Sequence, residues 1–186
     1  MLRLVAITSS FLLLAAASVD PAVAVARNIQ VGKPAPYLKL RDRESQPYIL
    51  SEIAYPGTPK PRFPKSPVLL DFFSTSCTPC RKALPDVIAF HHATKDKGIK
   101  IFLVAVLERT DPNARNDLDK FLRQNPVPFT VLLDEHEYFT EKFSVKGKKM
   151  DLPAYILVDS NGIIRDISSK LNKQAILELL DEQQVN

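Results

Sequence analysis

The sequence predicts an α/β fold: a central mixed β-sheet flanked by helices, with a β-hairpin added at the N-terminal side. Two observations carry this. Apolar runs of strand length, Val68–Phe73, Ile101–Leu107 and Phe129–Leu133, alternate with stretches of helical period, as in a parallel βαβ core. Two further runs, Ala154–Val158 and Ile163–Ile167, flank Asp159-Ser160-Asn161-Gly162, a turn signal that adds an antiparallel hairpin. At 186 residues the chain is within the range of one domain.

The first 26 residues are expected to lie outside that domain. Arg3 precedes a mostly apolar stretch, Leu4–Val19, broken by Thr8, Ser9 and Ser10 and ended by Asp20-Pro21. Ala24-Val25-Ala26 then offers small residues where a signal peptidase reads, so residues 1–26 are read as a secretory signal cleaved after Ala26, with Ala24 as a second candidate. The other reading is an uncleaved anchor, for which the stretch is short. Residues 27–34 are taken as a linker and 35–186 as the folded domain. The net charge of +4 survives cleavage, because the signal carries one Arg and one Asp. So mild an excess on an exported chain argues against nucleic acid as a partner.

Within the domain, Tyr37–Leu40 and Tyr48–Leu50 around polar Arg41–Gln46 read as the hairpin. Residues 54–67 hold Pro56, Pro59, Pro61, Pro64 and Pro67, too many for a helix or an inner strand, so they read as a loop. Tyr55, Arg62 and Phe63 there are candidate docking residues. A buried strand, Val68–Phe73, leads into a helix from Cys77, with Cys80, Leu84, Val87, Ile88 and His91 on one face and Pro85 as a kink. Asp111–Gln124 is the next helix, starting at Asp111-Pro112, with Leu118, Phe121 and Leu122 as its stripe. His136–Phe143 is a short helix, and Leu171–Glu182 closes the chain through Ile176, Leu179 and Leu180.

The chemistry points to Cys77-Thr78-Pro79-Cys80. These are the only two cysteines in the protein, and they sit at a strand-to-helix junction. Unpaired N–H groups at a helix start favour a thiolate on the first cysteine, and a thiolate beside a second thiol is equipped for thiol–disulfide exchange. A structural disulfide at this spacing closes almost no loop and stabilises little. A metal site lacks a matching Cys/His pair downstream. With no third cysteine for an internal relay, electrons must come from or go to another molecule.

These features in order resemble the thioredoxin fold and, within it, the exported TlpA-like thiol–disulfide oxidoreductases, over about residues 31–185. The resemblance rests on the cysteine pair, on Pro85 as the kink proline, on Asp71 as the buried carboxylate and on Leu152-Pro153 as the cis-proline facing the sulfurs. It implies that Cys77 attacks, Cys80 resolves, Asp71 accepts the proton of Cys80, and Pro153 presents the backbone of Leu152 to a substrate strand. Ser76, Thr78 and Pro79 complete the expected substrate-binding surface. Ser76 stands where the family usually has tryptophan, and the chain has none. The lysine that pairs with the buried aspartate in many thioredoxins falls near Val106. Peroxiredoxin relatives use Pro-x-x-x-Thr/Ser-x-x-Cys; Ser74 fits, but Leu70 holds the proline position.

The leading expectation is an exported, periplasmic or otherwise extracytoplasmic reductase of client disulfides. Its only redox group is the Cys77–Cys80 pair; no metal and no separate cofactor are expected. The resemblance implies clients such as apocytochrome c or metal-site assembly proteins, and a membrane electron donor. No histidine lies between the cysteines to make the pair more oxidising, and Pro79 resembles the reducing thioredoxins. The alternatives are a soft-metal module holding Cu(I) on Cys77 and Cys80, and a binding protein that merely tolerates its cysteines. Lys146, Lys148 and Lys149 read as a solvated loop, with rimming of the site as the sharper alternative. His91, His92 and His136 read as surface or helix-face residues.

Overall fold

A computed structural model describes residues 29–54, 65–143 and 150–184. The signal segment, the docking candidates Tyr55, Arg62 and Phe63, and Lys146, Lys148 and Lys149 lie outside the described residues. The elements run β1 (Lys39–Asp42), β2 (Pro47–Ile49), α1 (Leu50–Ala54), β3 (Val68–Phe73), α2 (Thr78–Thr94), β4 (Lys100–Leu107), α3 (Ala114–Gln124), β5 (Thr130–Glu135), α4 (Tyr138–Lys142), β6 (Ala154–Val158), β7 (Ile164–Ser168) and α5 (Lys173–Gln184). Among the described residues, seven strands form one sheet in the order β2-β1-β5-β4-β3-β6-β7. β3, β4 and β5 are parallel, and the outer pairings are antiparallel.

Topology dictates which face each helix covers. The two crossovers β3-α2-β4 and β4-α3-β5 step across the sheet in the same direction, so a common handedness lays α2 and α3 on one face. α5 joins them there: Val87 and Phe90 of α2 pack with Ile176, Leu179 and Leu180 of α5 over Leu69 and Leu157. After β5 the chain returns in the opposite direction to β6. The other face is covered by α1, by Phe139 and Phe143 at α4, and by the chain before β1, over Leu70, Phe72, Val104, Leu132 and Ile156. Helical cover on both faces explains why β3 is buried at every position.

Several boundaries differ from the expectation. The first hairpin strand is Lys39–Asp42 rather than Tyr37–Leu40. Leu50 leaves β2 and opens the unexpected helix α1, whose Leu50, Ile53 and Ala54 are buried. Asp111-Pro112 makes a turn in which Asp111 accepts from the Asn113 N–H at 2.9 Å, and the helix starts at Ala114. Residues 29–34, read as a linker, lie against β7: Ile29 is buried, Gly32 N–H donates to the Ile164 carbonyl at 2.8 Å, and Pro34 bridges Ile163.

Short α4 depends on one buried side chain. Asp134 at the end of β5 is fully buried and accepts hydrogen bonds from the Phe139 and Thr140 N–H groups and from the Thr140 hydroxyl. Removing this acceptor strands three buried donors. Asp134→Ala is therefore expected to lower the unfolding free energy by about 2 kcal/mol, read from the urea midpoint. An unchanged midpoint would contradict this account of how α4 is held.

Candidate active site

The site forms where β3 ends and α2 begins. Cys77 is the N-cap of α2, with extended backbone (φ −79°, ψ 100°), and its sulfur accepts the Cys80 N–H at 3.1 Å. Thr78 and Pro79 form the first turn; proline is tolerated there because its missing N–H has no intrahelical partner to lose. Cys77 and Cys80 are joined in a disulfide across this turn, with their Cα atoms 5.3 Å apart. The two sulfurs differ in surroundings: Cys77 is half-buried, whereas Cys80 is 2% exposed and packs with Phe73, Leu84 and Leu103. Thr78 and Pro79 are exposed, and the Arg81 guanidinium donates to the Thr78 hydroxyl at 3.1 Å. Pro85 lies inside α2, where it leaves the Arg81 carbonyl without its i+4 donor.

Asp71 is on the face of β3 that α2 covers. Side chains alternate along a strand, so Leu69, Asp71 and Phe73 share that face. Leu69 packs with Val87 and Phe73 with Cys80, which sets Asp71 beneath the helix between them. It is 2% exposed and has no hydrogen bond or ion pair among the described residues. Burial alone pushes its carboxyl up to about 7. Its partner across the β3–β6 ladder is Tyr155, buried on the same face. Burial, then the nearby Asp71 and Asp86 charges, hold the Tyr155 hydroxyl above its ordinary range.

The bond Leu152–Pro153 is cis. β6 pairs with β3 so that Ala154 faces Phe72, which puts Pro153 beside the end of β3 from which the cysteine loop departs. Leu152 and Cys77 both border the cluster that contains Cys80. The structure thus gathers Cys77, Cys80, Thr78, Pro79, Ser76, Leu152 and Pro153 at one end of the sheet, with Asp71 below. His91 does not join them. His91 lies roughly three turns beyond Cys80 along α2, over the Phe129 ring at 5.4 Å. Burial and the neighbouring His92 and Lys95 hold its imidazole below the usual range.

Glu108 carries no signal of its own in the sequence, and Ser74 is marked there only by its fit to the peroxiredoxin pattern. Ser74 is buried, and Glu108 follows β4; both hydrogen-bond with Ser76. Only the strand register, with Phe73 opposite Ala105, brings 74–76 against 108. Leu70, at the position a peroxiredoxin gives to proline, is a buried residue in the middle of β3.

Known proteins are similar to this chain in sequence and in fold. The chain is 26% identical to thiol-disulfide oxidoreductase ResA of Bacillus thuringiensis subsp. konkukian over 153 residues, 82% of this chain and 78% of the relative. A putative thiol:disulfide interchange protein DsbE from Chlorobium tepidum superposes with a TM-score of 0.61 at 25% identity, covering 82% of this chain and 99% of that one. The thioredoxin domain of a Bacteroides vulgatus thiol-disulfide oxidoreductase gives a TM-score of 0.62 at 22% identity, covering 86% of this chain and all of the other. The sheet with its flanking helices is therefore that of a thioredoxin fold. Residues 31–167 match the AhpC/TSA family from the hairpin extension to the last strand, and the chain belongs to that thioredoxin-like family.

Proposed function

We propose that this protein is an exported thiol–disulfide oxidoreductase that reduces disulfides in client proteins. The observation that carries the reading is the asymmetry of the pair: Cys77 at the open helix start, Cys80 buried behind it, and Asp71 below on the same side of the sheet. In the reduced protein, the Cys77 thiolate attacks one sulfur of the client disulfide. A Cys77–client mixed disulfide forms, and the other client sulfur leaves as a thiolate that takes a proton from water. Cys80 then gives its proton to Asp71 and attacks the Cys77 sulfur. The Cys77–Cys80 disulfide closes, and the second client thiolate is released. Two electrons have passed from the dithiol to the client, and an external donor, as the resemblance implies, restores them.

Export is supported by the leader-like sequence of residues 1–26. Among the described residues, no helix is long and apolar enough to cross a membrane. Reduction rather than oxidation is supported by Thr78-Pro79, which places no histidine beside the Cys77 sulfur. The edge beside cis-Pro153 gives an extended client segment a backbone to pair with. Clients of apocytochrome or metal-assembly type and a membrane donor remain part of this proposal through the family resemblance alone.

The test is stoichiometric. Prereduced protein, freed of small thiols and mixed with insulin, is expected to open one insulin disulfide per chain while its own pair becomes oxidised. Protein that stays reduced and leaves insulin intact would overturn the reading, and Cu(I) bound at one per chain in that same protein would transfer support to the soft-metal alternative.

A further inference from the structure

Glu108 follows the last residue of β4 and is half-buried. In the parallel ladder Phe73 faces Ala105, so the chain leaving β3 runs beside the chain leaving β4. The Ser76 hydroxyl donates to Glu108 Oε1 at 2.7 Å. The Ser74 hydroxyl lies 2.8 Å from that of Ser76 and 3.3 Å from the same carboxylate oxygen. Each hydroxyl has one hydrogen. Ser76 spends its hydrogen on the carboxylate, so the shorter Ser74 contact is a donation to Ser76. Ser76 N–H returns to the Ser74 hydroxyl at 3.3 Å, and Cys77 N–H donates to the Ser74 carbonyl at 3.1 Å. Ser74 and Ser76 are thus tied to one carboxylate, and Ser76 is covalently joined to Cys77.

This carboxylate also brings charge to the helix start. The first turn of α2 has no acidic residue. The charged groups around Cys77 include Asp71 on β3 beneath the helix, Arg81 (engaged with Thr78) and Lys82 on α2, Asp151 before the cis-proline turn, and Glu108 with its neighbour Arg109, which pairs with Glu141. Of the carboxylates among the described residues, Glu108 alone hydrogen-bonds the residue next to Cys77. A helix end favours the thiolate, and a neighbouring anion opposes it.

We propose that Glu108 is a positioning residue: it fixes the Ser74–Ser76 segment that delivers Cys77, and its charge keeps the Cys77 thiol more protonated than the helix end alone would leave it. The reduced form of the pair is then less stabilised, which makes the protein a stronger reductant. The inference rests on Cys77 being the exchanging thiol and not on the identity of any client.

The test is a titration of the Cys77 thiolate by its ultraviolet absorbance in the reduced protein, with no client present. Glu108→Gln keeps an acceptor for Ser76 and removes the charge, and is expected to lower the Cys77 pKa by about half a unit or more. Ser76→Ala releases the carboxylate and is expected to shift it the same way by less, while Ser76→Thr restores the wild-type titration. Wild-type titrations in both Glu108→Gln and Ser76→Ala would overturn the proposal. If the Glu108 variant fails to fold, the two substitutions at exposed Ser76 decide it. Insulin left intact by a protein that still shows these shifts would sink the reductase reading and leave this inference standing.

Discussion

Cys77→Ser is expected to abolish disulfide exchange, and Cys80→Ser to halt it one step later with the client still attached. The two sulfurs are three residues apart, but the fold treats them differently. Cys77 caps α2, where the Cys80 N–H points at its sulfur and the helix end favours negative charge. Its half-exposed position lets a client sulfur approach. Cys80 is enclosed by Phe73, Leu84 and Leu103 and reaches only a sulfur already joined to Cys77. Cys77→Ser should therefore bring insulin reduction to the rate of the uncatalysed reaction. Cys80→Ser should accumulate a covalent adduct of one client per chain, seen by mass spectrometry and released by added thiol. An adduct forming on Cys80 in the Cys77→Ser protein would reverse the assignment.

Asp71→Asn is expected to act on both stability and turnover. Burial raises the Asp71 carboxyl to about 7, against an ordinary value near 4 in the unfolded chain. The folded state therefore binds this proton more tightly. The stabilising contribution is complete below about pH 4, falls as pH rises, and is gone above about pH 7. Three pH units correspond to about 4 kcal/mol. Urea unfolding of the oxidised wild-type protein should lose stability of that order between pH 4 and pH 8 relative to Asp71→Asn. Asp134 is also raised by burial but is present in both proteins, so it cancels in the difference. In the proposed turnover Asp71 takes the Cys80 proton, which it can do only when ionised. Release of the mixed disulfide should speed up as pH rises through about 7 in the wild type, and should be slower by about 100-fold with no such rise in Asp71→Asn. Attack by Cys77 should be nearly the same in both. Equal release rates would remove Asp71 from the mechanism.

The parts of this fold legible in the sequence are those set by local chemistry. Ala154–Val158 is bounded by Pro153 on one side and the Asp159–Gly162 turn on the other, and the strand has those limits. α2 begins directly after Cys77 because an N-cap sulfur and Pro79 fix its first turn. α1 was hidden for a physical reason. Leu50, Ile53 and Ala54 make one helical turn, too short for a periodic signal, and Leu50 continues the apolar alternation of Tyr48. The start of α3 shifted because Asp111 bonds the backbone two residues on, forming a turn where a helix start was expected. The site divides the same way. The cysteine pair is a local motif, and the burial of Asp71 follows from the apolar run around it. The Ser74–Ser76–Glu108 link depends on which residues of β3 and β4 stand side by side, and no local pattern encodes that register.

The measurement that bears most directly on the reductase reading is the equilibrium reduction potential of the Cys77–Cys80 pair, titrated in thiol/disulfide buffers. A reversible two-electron couple at or below about −250 mV is the predicted result, the range of a pair that gives electrons to clients. A couple near about −120 mV would mark an oxidant that introduces disulfides, and would contradict the account.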